Sequence, residues 1–158
     1  MKLIKSPNEY DGSDPVSLFA GGGISNCPNW QYELALLLSD MPGTLVDPRR
    51  DDFDVNDPKM EKDQIHWEFR HFGKTTAACF WFPKETLCPI TLFELGDQLA
   101  IKGKKIFVGC HPQYKRIRDV KIQTALRRPE ITVWEGIMPL ALDIKNHIRT
   151  VYGNGLGK

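Results

Sequence analysis

The chain has 158 residues, 41% hydrophobic and 26% charged, with 21 Lys+Arg set against 20 Asp+Glu. That length suffices for one domain, residues 1–158, with a sizeable core. A net charge near zero excludes the global basic field that binds a nucleic acid polymer or a membrane surface, so an anionic small molecule would have to be met by a local arginine cluster. No apolar run approaches the length of a membrane span, and the opening MKLIKSPNEYDGSDP lacks the apolar centre of a signal peptide. The four cysteines, Cys27, Cys79, Cys88 and Cys110, show no CxxC spacing, and no histidine cluster completes a zinc set. These features lead us to expect a cytoplasmic protein with free thiols and no metal.

In chain order, residues 1–14 read as a loose arm, or as a short added strand at Lys2 to Lys5. Val16 to Ala20 is the first core strand, ended by Gly21-Gly22-Gly23. Asn26, Pro28 and Asn29 supply helix-start chemistry for Trp30 to Leu38. Thr44-Leu45-Val46 is a second strand, running into Asp47-Pro48-Arg49-Arg50. Residues 51–60 form an acidic loop, and Glu61 to Phe72 a helix with Ile65, Phe69 and Phe72 at core spacing. The unbroken apolar run Ala77 to Phe82 is a strand buried on both faces. Pro89 then opens a helix whose apolar pattern runs through Ile90, Phe93 and Leu95 to Leu99. A strand at Ile106 to Gly109, a basic helix at Tyr114 to Leu126, a strand at Ile131 to Val133 and a helix at Ile137 to Val151 complete the series, before a flexible GNGLGK tail. Alternation of strand and helix predicts an α/β, Rossmann-like (flavodoxin-like) three-layer sandwich. Its five-stranded, mostly parallel sheet takes the order 2-1-3-4-5.

Ligands of such sheets sit at the carboxyl ends of the strands. The glycine stretch lies there, as a backbone cradle for a ligand or as a plain tight turn. Its spacing matches neither GxGxxG nor a P-loop, which disfavours a dinucleotide cofactor. Asp47, Arg49 and Arg50 end the second strand, where arginines grip a phosphate or carboxylate, or pair with Asp51 and Asp52. Gln64, Trp67, Glu68 and His71 share one side of a helix. Glu68 beside aromatic rings is either a crevice carboxylate with a raised pKa or a surface partner of Arg70 or His71. Glu94 interrupts an apolar helix face near the helix start. It is either an ionised, water-poor nucleophile or an ordinary exposed residue. His66 and His71 read as surface or pairing residues, and His111 as a possible crevice residue.

Four separated stretches then agree with one family: Phe19 to Ser25, Asp47 to Arg50, Gln64 to Glu68, and FWFPKETLCPITLFELG from Phe80 to Gly96. Over roughly residues 16–110 the chain resembles the nucleoside 2-deoxyribosyltransferases, especially their short phage and bacterial branch. The resemblance implies cofactor-free cleavage of the N-glycosidic bond of a 2′-deoxynucleoside through a covalent deoxyribosyl ester. It assigns the nucleophile to Glu94, in Glu94-Leu95-Gly96, and a supporting carboxylate to Glu68. Phe19, Gly21, Gly22, Gly23, Asp47, Arg49, Arg50 and Trp67 fall in stretches bordering the sugar and base. The family commonly carries an aspartate six residues before the nucleophile; here that position is Cys88, with Glu85 of the same loop as the candidate replacement. The implied partners are a nucleoside or nucleotide, a nucleobase, and further copies of the chain in a dimer or larger homo-oligomer. The segment Ile137 to Asn154 is the candidate for completing a neighbour's pocket. Three activities stay open: transfer to another base, hydrolysis of a deoxynucleoside or its 5′-monophosphate, and non-catalytic nucleotide binding.

Overall fold

The computed structural model describes residues 1–54 and 56–153; the expected flexible tail beyond Gly153, with Asn154, and Val55 of the acidic loop lie outside them. The elements are β1 (Lys2–Lys5), β2 (Ser17–Gly22), α1 (Trp30–Leu37), β3 (Thr44–Asp47), α2 (Pro58–Lys74), β4 (Ala77–Phe82), α3 (Pro89–Ala100), β5 (Lys105–Cys110), α4 (Ile117–Arg127), β6 (Val133–Trp134) and α5 (Ile137–Tyr152). The six strands form one sheet in the order β1-β3-β2-β4-β5-β6, and every pairing is parallel. The five strands anticipated from apolar runs take the anticipated order, and the residues first read as an arm add β1 to the edge beside β3.

Strand periodicity sorts the core into two layers. Ala78, Phe80 and Phe82 of β4 face Trp67 and Phe72 of α2, Leu95 and Leu99 of α3, and Val120 of α4. Ala77, Cys79 and Trp81 face Trp30 and Leu34 of α1 and Leu140, Ala141 and Ile144 of α5. A parallel sheet covered on both faces needs strands that are apolar throughout, which explains the uninterrupted AACFWF run.

Several boundaries differ from the expectation. Gly21 and Gly22 belong to β2, opposite Phe80 and Trp81, rather than to a turn. A Cβ on Gly22 would stand 2.5 Å from both the Trp30 ring and the Trp81 carbonyl oxygen, so glycine is what lets α1 lie this close to the strand. Helix α2 starts earlier, at Pro58, because the Asp57 carboxylate caps the Lys59 and Met60 N–H groups. Its inward face is Gln64, Trp67, His71 and Phe72, whereas Ile65 and Phe69, expected in the core, are exposed, Phe69 at 81%. The reason is the N-terminal segment. Ser6 Oγ donates to Gln64 Oε1, Trp67 Nε1 donates to the Asn8 carbonyl, and the Tyr10 N–H donates to His71 Nε2, so polar side chains are satisfied inside. His71 is thereby fully buried, not a surface residue. In α3, likewise, Ile90 and Phe93 face outward, Phe93 at 78% exposure, while Thr91, Leu95, Gln98 and Leu99 face inward. Tyr114 precedes α4 as a buried side chain whose hydroxyl donates to the Leu87 carbonyl.

All four cysteines are free thiols. Among the described residues, no helix is long and apolar enough to cross a membrane, and no three His, Cys, Asp or Glu side chains converge as a metal-binding set.

Candidate active site

The chain runs from β2 outward to β3, then crosses back over β2 through α2 to β4. The strand order therefore reverses between β2 and β4, and the carboxyl ends of these two strands border the crevice characteristic of open α/β sheets. Helices α2 and α3 share one face of the sheet, packed against Ala78, Phe80 and Phe82 of β4.

Glu68 of α2 is half-buried, and its Oε1 accepts from Gln64 Nε2 at 2.8 Å. It pairs with neither Arg70, which binds Glu9, nor His71. Burial pushes its carboxyl above the usual range, against the pull of the Gln64 donor. Glu94, also half-buried, lies in the second turn of α3, beyond the orphan N–H groups of the helix start. Burial first, and then the charge of Glu68, push its carboxyl up to about 8. The macrodipole does not keep Glu94 ionised, as its place in the sequence had suggested; dehydration and a like charge win. The charge of Glu68 on α2 thus opposes ionisation of Glu94 on α3, and burial raises both carboxyl groups. A pair of this kind holds one proton near neutral pH.

Behind Glu68 stands the end of β3. Gln64 Nε2 also donates to the Pro48 carbonyl at 2.8 Å. Asp47 is buried, its Oδ1 accepting from the Arg49 N–H at 2.8 Å, and burial raises its pKa. The two arginines part company. Arg50 is held by Asp52 through two 3.0 Å bonds, the surface pairing that a charge run allows. Arg49 instead turns to the start of α1, donating to Gln31 Oε1 at 3.2 Å and the Pro28 carbonyl at 3.4 Å. Among the described residues its guanidinium has no carboxylate partner.

Gly23 leaves β2 with its carbonyl accepting from Trp30 Nε1 at 2.9 Å. A Cβ there would lie 2.7 Å from Pro83 Cγ and 3.0 Å from Cys88 Sγ, so this glycine makes room for the β4–α3 loop. Cys88 caps α3 in a left-handed conformation (φ 47°) without a side-chain cap bond. It is buried, and burial pushes its thiol up to about 12. Glu85 of the same loop is exposed. Phe19 and Trp67 are core residues: the Phe19 ring lies 3.9 Å from that of Phe72 and 6.2 Å from that of Trp67. His66 is exposed, and half-buried His111 accepts the Gln113 N–H at Nδ1.

The structure thus joins Glu68 to the end of β3 through Gln64 and brings it near enough to Glu94 for its charge to act there. It sets the glycine stretch against α1 and the β4–α3 loop, pairs Arg50 with Asp52 and leaves Glu85 exposed. Sequence reasoning placed Gln64 on the right face without a task and passed over Ser6. The available signal was Gln64, Glu68 and His71, polar groups at i, i+4 and i+7 beside a buried tryptophan.

A parallel α/β sandwich with a carboxyl pair over its strand-order reversal is an architecture for small-molecule chemistry at the sheet end. The chain belongs to the nucleoside 2-deoxyribosyltransferase like family, whose model matches residues 15–114, from just before β2 to Tyr114. That span contains the glycine stretch, Asp47 to Arg50, Glu68 and Glu94; β1, α4, β6 and α5 lie outside it. No curated protein matches the sequence.

Proposed function

We propose that the protein cleaves the N-glycosidic bond of a 2′-deoxynucleoside and passes the deoxyribosyl group to a second nucleobase, with Glu94 as nucleophile. What supports this reading is a half-buried Glu94 whose carboxyl is pushed up to about 8 by burial and then by the charge of Glu68, itself held by Gln64 at 2.8 Å. Glycosidic cleavage consumes one carboxylate oxygen, for the anomeric carbon, and one proton, for the departing base. A pair holding one proton supplies both. Glu94 surrenders its proton to Glu68 as its oxygen bonds to the sugar carbon; the carbon–nitrogen bond breaks, and Glu68 hands the proton to the base nitrogen. The second base attacks the ester from the opposite face, its proton returns to the pair, and two inversions restore the starting stereochemistry. No step requires a cofactor. We further propose a single domain working in the cytoplasm as a homo-oligomer.

A second reading, hydrolysis of a deoxynucleoside 5′-monophosphate, is favoured by Arg49, a guanidinium bound only to neutral groups at the sheet end. Incubation with deoxyadenosine, or its 5′-monophosphate, and free thymine separates the possibilities. Thymidine or its monophosphate is the expected product, free deoxyribose or its phosphate would establish hydrolysis, and release of adenine by Glu94→Ala at the wild-type rate would remove Glu94 from its role.

A further inference from the structure

Gln64 has both amide hydrogens and one oxygen lone pair committed. The Pro48 carbonyl can only accept, so the Gln64 amino group must face it, and Nε2 stands 2.8 Å away. The second hydrogen of that amino group goes to Glu68 Oε1, also at 2.8 Å. The amide oxygen is left toward Ser6, whose buried hydroxyl donates to it at 2.7 Å. A flipped amide would set its oxygen against the Pro48 carbonyl and leave buried donors unmatched, which low-polarity surroundings penalise heavily. The end of β3 and the segment after β1 therefore lock the amide in one orientation.

That orientation has a chemical consequence for the carboxyl pair. Glu68 Oε1 receives the Gln64 hydrogen, which makes Oε2 the favoured seat of a proton on Glu68. A fixed donor also favours the ionised over the neutral carboxyl. Glu94 has no such bond from a described side chain. We propose that Gln64 is the positioning residue that decides which carboxyl holds the shared proton, keeping Glu68 ionised and Glu94 protonated until substrate enters. Glu68 is then the empty seat to which the proton of Glu94 moves when Glu94 attacks. This inference rests on the proposed use of the pair, and it adds to that reading the order in which the two groups ionise.

The other ionisable groups near Glu68 do not set that order. Across from it, α3 offers Glu94, which acts on both variants and wild type alike. At the end of β3, Asp47 is engaged by the Arg49 N–H and faces the charges of Lys5, Arg49 and Asp51. From the N-terminal segment only the neutral Ser6 hydroxyl enters the chain of bonds.

The test is a 13C-carboxyl NMR titration of Glu68 and Glu94 in the full chain, for wild type, Gln64→Leu and Ser6→Ala, alongside pH profiles of kcat/KM. In Gln64→Leu the Glu68 resonance should titrate at higher pH than in wild type. Ser6→Ala should move it the same way by less, since the amide stays but loses its anchor. On the acid side of the optimum, kcat/KM of Gln64→Leu should fall about tenfold further than at the optimum, the worth of one hydrogen bond to a charged group. A Glu68 titration that stays in place in the folded variants overturns the role of Gln64, whatever the activity. A titration that moves in a protein cleaving no glycosidic bond upholds Gln64 and overturns the proposed reaction instead. Should Gln64→Leu fail to fold, Ser6→Ala carries the same comparison alone.

Discussion

The backbone N–H of Tyr10 donates to Nε2 of His71 at 3.1 Å, inside the core. Because Nε2 accepts, the ring hydrogen is on Nδ1, which donates to the Trp67 carbonyl at 2.7 Å. The bond from Tyr10 demands an unprotonated Nε2, and burial holds the His71 pKa below its ordinary value, outweighing the Trp67 carbonyl and the nearby Glu9 carboxylate. The sign follows directly. The unfolded chain binds the proton first as pH falls, so this stabilisation is complete above roughly pH 6.5 and is lost as pH drops through the folded pKa. Urea unfolding should show a loss of stability from pH 7.5 to 5. His71→Leu should cost about 1–3 kcal/mol at pH 7.5, by orphaning the buried Tyr10 N–H, and should flatten that acid loss. An undiminished slope in the variant would assign the acid sensitivity elsewhere.

The same linkage runs the other way at Glu94. Its carboxyl ionises near 8 in the folded protein against 4.5 in the reference state, so stability is complete below pH 4.5 and is eroded as pH rises toward 8. Glu94→Gln removes that penalty. We expect the variant to be more stable at pH 7 by roughly 1–3 kcal/mol, a Tm gain of roughly 2–4 °C per kcal/mol, while base release falls about 10³-fold or more. Thermal melts and product assays on one preparation test both halves. Equal stability together with full activity would mean that Glu94 is neither dehydrated nor the nucleophile.

The working form of the pair holds a single proton, and Glu94 gives it up near 8. Above about pH 8, kcat/KM should therefore fall tenfold per pH unit. Glu68→Gln removes the negative charge that raises the Glu94 pKa, so that limb should move to lower pH. It also removes the proton's acceptor, and the optimum rate should drop about 10²–10³-fold. An alkaline limb unchanged by the substitution would show that the two carboxyl groups do not communicate.

How much of this was written in the sequence depends on whether the deciding contact is local. The strand order was legible because Ala77 to Phe82 and Ile106 to Gly109 are short apolar runs bounded by proline, glycine and polar residues, and parallel crossovers have one hand. The inward faces of α2 and α3 were not. Periodicity counts apolar residues, yet Phe69 and Phe93 face outward while Gln64, His71 and Gln98 are buried. What settles α2 is the segment from Ser6 to Tyr10, which binds its polar residues from nearly sixty positions away. Glu94 was recognisable as an odd carboxylate, but its protonation depends on burial in the folded chain and on Glu68, on another helix. Gly22 was read as turn chemistry because nothing in its neighbours discloses that the Trp30 ring presses on it.

That pressure is testable. A Cβ at Gly22 meets the Trp30 ring and the Trp81 carbonyl oxygen, each at 2.5 Å, and the latter is backbone and cannot turn aside. Gly22→Ala should destabilise the protein by about 2–4 kcal/mol through displacement of α1. Gly73→Ala, where nothing lies within 4 Å of the new methyl, is the control and should be neutral to stabilising. Denaturant midpoints of the two variants suffice, and similar midpoints would mean that β2 and α1 part without cost.

Arg49 offers the sharpest separation between substrates. Its guanidinium is bound to Gln31 and the Pro28 carbonyl, neither of which neutralises it, whereas Arg50 is already neutralised by Asp52. An incoming phosphate would gain a charge-assisted bond from Arg49 at little cost, but would have to break an existing ion pair to recruit Arg50. If the substrate carries a 5′-phosphate, Arg49→Met should lower kcat/KM for the monophosphate by about 10–100-fold and leave the unphosphorylated nucleoside within about threefold. Arg50→Met should change neither by more than about threefold, since its guanidinium is already engaged by Asp52. Raising the ionic strength should weaken the monophosphate reaction of wild type more than that of Arg49→Met. Equal losses for both substrates would make Arg49 a brace for the α1 start, holding Gln31 in place, and the preferred substrate would then be the nucleoside.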